Sequence, residues 1–234
     1  MMIIGVIGAM PEEIEPLLER FELVKDEEFA SNRYYVCKYS GLDIVLAYSK
    51  IGKVFSTITA TTMILRYGCA KVLFSGVAGS LNSNIKIGDL MHADELCQHD
   101  LDITAFGHPH GFVPEGKRFT TSCKELNKIA KEVAKNLGEK LHTGKIATGD
   151  QFVADIDRKN WIKNEFGADA VEMEGGAVAM TCEVFKVPFF ILRAISDSAD
   201  EDAGMNFDEF LKSSSKRSAD FLCAMLDKIS QDKR

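Results

Sequence analysis

Residues 169–180 read DAVEMEGGAVAM, and the rest of the chain is organised around them. Ala170, Val171 and Met173 suit a buried strand, and the small residues from Gly175 onward suit a tightly packed helix. Glu172 and Glu174 interrupt this apolar segment with two carboxylates. Strand side chains alternate, so the two share a face if the strand runs that far. A buried ionised carboxylate costs several kcal/mol unless hydrogen bonds or a cation compensate it. Either both glutamates reach solvent at a strand end, or one of them holds a polar ligand at the carboxyl end of a sheet.

The neighbouring segments favour the sheet. Residues 188–195, PFFILRAI, form a buried strand that carries Arg193 and ends in Ser196-Asp197-Ser198. An arginine inside such a run needs a partner. Residues 144–148 form another strand, leading to Gly149-Asp150-Gln151-Phe152-Val153, and a helix is expected over 157–166. Residues 71–75 are a strand, followed by a glycine-rich turn, Gly76-Val77-Ala78-Gly79-Ser80. That turn lacks the GxGxxG spacing and is not followed by a helix, so it is not a dinucleotide cradle. Its glycines imply that backbone approaches something closely.

At the start, residues 3–7 form a central strand and Pro11 takes the first helical position. Ile14, Leu17, Leu18 and Phe21 repeat at helical spacing, with a kink or a short turn expected at Pro16. Glu12 and Glu13 fall where the helix dipole favours negative charge, which by itself accounts for such a pair. Residues 33–39 and 42–49 predict a hairpin about Ser40-Gly41, followed by a helix over 54–67 and a strand over 90–97. Residues 99–119 form a long loop with His99, Phe106, His108 and His110. His108-Pro109-His110 lacks a third ligand at a metal-binding spacing, so a surface or interface loop is the stronger reading. A helix follows over 124–137, and Asn206 with Glu209 resembles a capping box opening a last helix to about residue 229. Alternating strands and helices predict an α/β fold: a single domain, residues 1–234, with a mixed, largely parallel sheet flanked by helices.

Composition narrows the function. The 234 residues are 46% hydrophobic and 27% charged, an ordinary globular balance. A net charge of −7 argues against nucleic acid and anionic membranes as partners. The opening MMIIGVIGAM reads as a strand and not as a signal peptide or a membrane span. Six scattered cysteines without a CxxC fit a reduced, cytoplasmic protein.

Polar residues gather at strand ends: Glu13, Glu172, Glu174, Arg193, Ser196 and Asp197. Here the sequence resembles the 5′-methylthioadenosine/S-adenosylhomocysteine nucleosidases of the nucleoside phosphorylase superfamily. The matching segments are IGAMPEE from Ile7, SKIGKV from Ser49, GVAGS from Gly76, HDLDITAF from His99, GDQF from Gly149, AVEMEG from Ala170, RAISDSAD from Arg193 and NFDEF from Asn206. They span nearly the whole chain in the family's order.

The resemblance implies hydrolysis of the N-glycosidic bond between adenine and a 5′-modified ribose, without metal or cofactor. It implies that Glu13 orients the attacking water and that Asp197, supported by Ser196, donates a proton to adenine nitrogen 7. Glu174 would hold the ribose hydroxyls with Met173 beneath the sugar, and Arg193 would neutralise the carboxylate cluster that includes Glu172. Phe152 would stack on adenine while the Val153 backbone reads its edge. Met10, Ile51 and Phe207 would line the sugar and 5′ pocket, with Val77, Ala78 and Gly79 also against the substrate. A loop from the other subunit of a homodimer, here Ile103, Phe106 and Pro114, would close it. Related enzymes often have serine where this chain has Val77, and one reading of the departure is a branch that also accepts 6-amino-6-deoxyfutalosine, an adenine nucleoside of menaquinone synthesis.

The chemistry requires these residue types on its own terms. The sugar becomes cationic as the bond breaks, and adenine leaves poorly unless protonated, so one carboxyl holds a proton while another stays ionised. Glu13 at a helix start favours the charged form and Asp197 after an apolar strand the neutral one. The nearest rival is a purine nucleoside phosphorylase. Phosphate needs convergent cations, and beside Arg193 the motifs supply only Lys50 and Lys53. A non-catalytic nucleoside-binding module would be expected to have lost one of Glu13, Glu174 and Asp197, and all three are present.

Overall fold

The computed structural model describes residues 2–232. In chain order its strands are β1 (Ile3–Gly8), β2 (Glu22–Phe29), β3 (Asn32–Tyr39), β4 (Leu42–Tyr48), β5 (Cys69–Ser80), β6 (Leu90–Gln98), β7 (Thr120–Thr121), β8 (Leu141–Thr148), β9 (Ala170–Glu172) and β10 (Phe189–Asp197). The α-helices are α1 (Pro11–Leu18), α2 (Lys53–Leu65), α3 (Lys124–Leu137), α4 (Ile156–Phe166), α5 (Gly175–Val184) and α6 (Ala203–Gln231).

All ten strands join one sheet in the order β2-β3-β4-β1-β5-β9-β8-β6-β10, with β7 on β6. β10 also pairs back onto β5, so β5, β9, β8, β6 and β10 close a ring and the other strands extend from it. The sheet is mixed but not largely parallel. Parallel pairs (β1–β4, β1–β5, β5–β10, β6–β8, β8–β9) are matched by antiparallel ones (β2–β3, β3–β4, β5–β9, β6–β7, β6–β10). The sequence order of strands and helices reveals crossovers, but it does not reveal the ring, which pairs strands far apart in the chain.

Helices cover both faces. Ile14, Leu17, Leu126, Phe221 and Leu222 share one core with Ile4, Leu46 and Phe190 of the sheet. Ala60, Met63, Val178 and Cys182 of α2 and α5 pack on Ile7, Phe74 and Ile191 in a second. The small residues of α5 let it lie on the sheet: a Cβ at Gly176 would stand 2.8 Å from Thr148 Oγ1.

Four local expectations change. Residues 76–80 are not a turn, because β5 continues through them, paired with β10 and β9. β9 stops at Glu172, so Glu174 lies past the strand, at the N-cap of α5. α6 begins at Ala203, ahead of the Asn206 capping pattern. β2, whose ELVKDEEF sequence is exposed on both faces, carries no periodic signal from which a strand could be expected. Pro16 sits near the end of α1, which stops at Leu18.

Candidate active site

The strand ends deliver four carboxylates to one place. After β1 the chain turns into α1, whose third residue is Glu13. Its Oε2 accepts hydrogen bonds from the Ala9 and Met10 amides, the second at 3.1 Å, and its Oε1 accepts from the Val77 amide of β5 at 3.0 Å. Burial pushes the Glu13 carboxyl above the ordinary glutamate value, against the opposing pull of the Arg193 charge and these three amides.

Asp197 ends β10. Its Oδ1 accepts from the Ala199 amide at 2.8 Å and its Oδ2 from the Ser196 hydroxyl at 2.9 Å. Burial raises this carboxyl too, with Asp200 adding to the rise and Ala199, Ser196 and Lys159 opposing it. Both acids are therefore buried, and burial works against the charged form expected of Glu13 at a helix start. They differ in their surroundings: three amide donors and the nearby Arg193 charge for Glu13, one amide and a hydroxyl for Asp197.

Missing side chains make room for both. A Cβ at Gly76 would fall 2.6 Å from Glu13 Oε1, and one at Gly79 would fall 2.5 Å from Asp197 Oδ1. The close approach expected of this segment is to the protein's own carboxylates. Gly79→Ala is expected to push Asp197 off the Ala199 amide and cost about 100-fold in turnover, as misplacement by ~1 Å does. Wild-type rates in the variant would show that Asp197 needs no such clearance.

Glu172 and Glu174 have separate surroundings. Glu172 Oε2 accepts from Arg193 Nη2 at 2.6 Å and from the Glu174 and Gly175 amides at 3.1 and 2.6 Å; Oε1 accepts from the Thr148 hydroxyl. Arg193 is buried over the Phe74 ring, 4.1 Å from its centroid. It pairs directly with Glu172, and its charge also opposes the rise of Glu13 and Glu174. Glu174 Oε1 accepts from the Gly52 amide at 2.8 Å.

Burial and the Glu172 charge raise Glu174 to about 8. Between its unfolded value, 4.5, and its folded one, the native state binds more protons than the unfolded state. Folding stability is thus full below the unfolded value and falls as pH rises through the folded one. Urea unfolding of the ligand-free protein from about pH 5 to about pH 9 is expected to show that decline, and Glu174→Gln to flatten it. An identical slope in the variant would contradict the assignment.

These groups line a cavity of about 310 Å³. Glu13, Glu172, Glu174 and Asp197 stand on it with Ser196, as do the apolar Met10, Ile51, Met173, Phe152 and Phe207 and the β5 residues Val77, Ala78 and Gly79. Phe152 meets Phe207 edge-on at 5.7 Å. Val153 lies in a small adjoining pocket with Gly79, Phe152 and Asp197. Ala9 and Val171 also line the cavity without having been expected there, although each is a chain neighbour of an expected residue. Sequence reasoning misses Gly52 and Thr148 as well, which hold Glu174 and Glu172; the glycine of SKIGKV is the available signal.

Ile103, Phe106 and Pro114 lie outside this cavity, and Phe106 is 80% exposed at the end of a short 3-10 turn. His108 stacks on Phe112 and His110 meets Trp161 edge-on. The two lysines of the SKIGKV segment are engaged elsewhere. Lys53 Nζ pairs with Asp100 at 2.7 Å, and Lys50 Nζ donates to the Ser31 carbonyl at 2.8 Å.

The sequence matches the family described as Phosphorylase superfamily over residues 3–227. It is 52% identical over 229 residues to the aminodeoxyfutalosine nucleosidase of Campylobacter jejuni, covering 98% of this chain and 100% of the relative. It is 38% identical over 232 residues to the 5′-methylthioadenosine/S-adenosylhomocysteine nucleosidase of Exiguobacterium, covering 98% and 100%. The fold superposes with TM-score 0.96 on the Helicobacter pylori 5′-methylthioadenosine/S-adenosylhomocysteine nucleosidase with butyl-thio-DADMe-Immucillin-A, at 50% identity over 97% of this chain and 99% of that one.

Proposed function

The chain belongs to the phosphorylase superfamily, and from that premise we propose that it is an N-glycosyl hydrolase releasing adenine from 5′-modified adenine nucleosides. The substrates are 5′-methylthioadenosine, S-adenosylhomocysteine, 5′-deoxyadenosine and 6-amino-6-deoxyfutalosine. The last is supported by the higher identity to the aminodeoxyfutalosine relative and by Val77 on the wall. The observation that carries the reading is a pair of buried acids, Glu13 and Asp197, on one cavity with different donors.

In this reading Asp197 gives its proton to adenine nitrogen 7 as the bond stretches, and Ser196 orients it. Glu13 takes a proton from the water that attacks the sugar. Glu174 binds the ribose hydroxyls with Met173 under the ring, and Glu172, held by Arg193, fixes the Glu174 amide. Phe152 packs on the base, Val153 reads its edge through the backbone, and Met10, Ile51 and Phe207 receive the 5′ group.

Electrostatics argues against phosphate as nucleophile. The cavity wall carries four carboxyls, its guanidinium is committed to Glu172, and Lys50 and Lys53 are bonded elsewhere. Adenine release from methylthioadenosine is expected to proceed in phosphate-free buffer, with free 5-methylthioribose as product. Acceleration by phosphate, or formation of a sugar 1-phosphate, would favour phosphorolysis.

The protein works as one nucleosidase domain over residues 1–234, in the cytoplasm and as a homodimer. Its cysteines are free. Among the described residues no helix is long and apolar enough to cross a membrane. Val54 and Ile58 of α2 and Val184 of α5, with neighbouring Phe185, line an exposed apolar groove suited to a second copy. Ile103, Phe106 and Pro114 would then reach the neighbour's 5′ pocket.

A further inference from the structure

Glu174 is held by a turn that does not hold itself. The turn leads from β4 to α2 through Lys50, Ile51 and Gly52, with φ of 71° at Lys50 and 99° at Gly52. Both lie in the left-handed half of backbone space, and a lysine there is uncommon without outside support. Gly52 occupies the cap position of α2 and has no side chain to satisfy the first helical amides. A residue distant in sequence does this instead. Asp150 Oδ1 accepts the Lys53 amide at 2.8 Å.

The link closes on itself. Lys53 Nζ reaches Asp100 Oδ1 at 2.7 Å and Gln98 Oε1 at 3.2 Å, and Asp100 Oδ2 accepts the Asp150 amide at 2.8 Å. Lys53, Asp100 and Asp150 thus form a cycle joining α2, the segment after β6 and the segment after β8. The fit leaves little slack, since a Cβ at Gly52 would stand 3.0 Å from Asp150 Oδ1. On its other side the Gly52 amide meets Glu174 Oε1, and Ile51 lines the cavity. Asp150 also starts the segment that carries Phe152. None of the three lines the cavity of about 310 Å³.

We propose that Asp150, Asp100 and Lys53 are positioning residues: a latch that presses the Gly52 amide onto Glu174 and ties the sugar side of the site to the base side. The proposal deepens the nucleosidase reading and rests on it for the role of Glu174. Asp150→Ala opens the cycle at one point, the Lys53 amide, because the bond to Asp100 comes from the residue 150 backbone amide and survives. It leaves the Lys53 amide uncapped and frees the turn, so the carboxylate loses a donor. Leaving a buried donor without its acceptor is costly enough for a loss of about 10- to 100-fold in kcat/KM. Asp150→Asn keeps an oxygen for the Lys53 amide and is expected to stay within about threefold of wild type.

The test is a double-mutant cycle with Glu174→Ala, which removes the acceptor of the Gly52 amide, read by adenine release, alongside amide hydrogen exchange of the substrate-free protein. The latch predicts that Asp150→Ala is costly in the wild-type background and costs under about threefold in the Glu174→Ala background, because both act through one contact. It predicts faster exchange of the Gly52 amide in Asp150→Ala and restored protection in Asp150→Asn. Equal losses in both backgrounds, or unchanged Gly52 exchange, would overturn it. If wild-type protein releases no adenine, the nucleosidase reading fails, while the exchange measurement still decides the latch. Should Asp150→Ala not fold, Lys53→Met breaks the same cycle at Asp100 and is read in the same way.

Discussion

Asp197→Asn is expected to lower adenine release by ~100- to 10,000-fold while the protein keeps its fold and melts close to wild type. The rate loss follows from the leaving group: asparagine has no acidic proton to place on nitrogen 7, and an unprotonated adenine departs slowly. The fold is spared because the hydrogen bonds can be remade. The side-chain oxygen of the substituted asparagine would accept from the Ala199 amide, as Oδ1 of Asp197 does at 2.8 Å. Its NH₂ would face Ser196 Oγ, which can accept and turn its own proton towards the Ala78 carbonyl, 3.5 Å away. Burial already disfavours charge on Asp197, so a neutral isostere suits the site. Near wild-type turnover would refute the assignment.

Glu13→Gln is expected to cost at least as much rate, and stability as well. Each Glu13 oxygen faces amide donors: Ala9 and Met10 on one side, Val77 on the other. Whichever way the glutamine amide turns, its NH₂ points at an N–H group, so a buried donor loses its acceptor. Such a group costs about 1–3 kcal/mol, which for a domain of this size lowers Tm by a few degrees. Burial that raises the Glu13 carboxyl also makes it a better proton acceptor than an exposed glutamate, provided the amides and Arg193 keep it ionised. A variant with wild-type rates would move the water elsewhere.

The two variants divide by what the sequence can show. That Glu13, Glu174 and Asp197 share one cavity is legible because their segments are specific and because the expected chemistry calls for carboxyls together. Their protonation is legible only in outline. The first turn of α1 suggests a dipole-stabilised, charged glutamate, whereas β5 passes over it and buries it, a contact between residues 13 and 77 that no local pattern reveals. The same strand explains the misread glycines: 76–80 looks like a turn in isolation and is a strand because β10 and β9 pair with it. Arg193 has the partner that its buried strand demands, but whether that partner is one carboxylate or several depends on the position of Glu172. The bounds of α3 match the expected 124–137, since its apolar and polar positions separate cleanly. β2 is invisible in the sequence because both its faces meet solvent.

The proposed reaction divides the labour between two acids: one protonates the departing base and the other activates water. A 5-methylthioribosyl substrate with a 4-nitrophenoxy group in place of adenine separates the two, because that group leaves without a proton. Comparing Asp197→Asn and Glu13→Gln on this compound and on methylthioadenosine tests the claim most directly. The prediction is that Asp197→Asn, defective on methylthioadenosine, comes within about tenfold of wild type on the aryl substrate, while Glu13→Gln stays defective on both. Equal defects of Asp197→Asn on the two substrates would contradict the account.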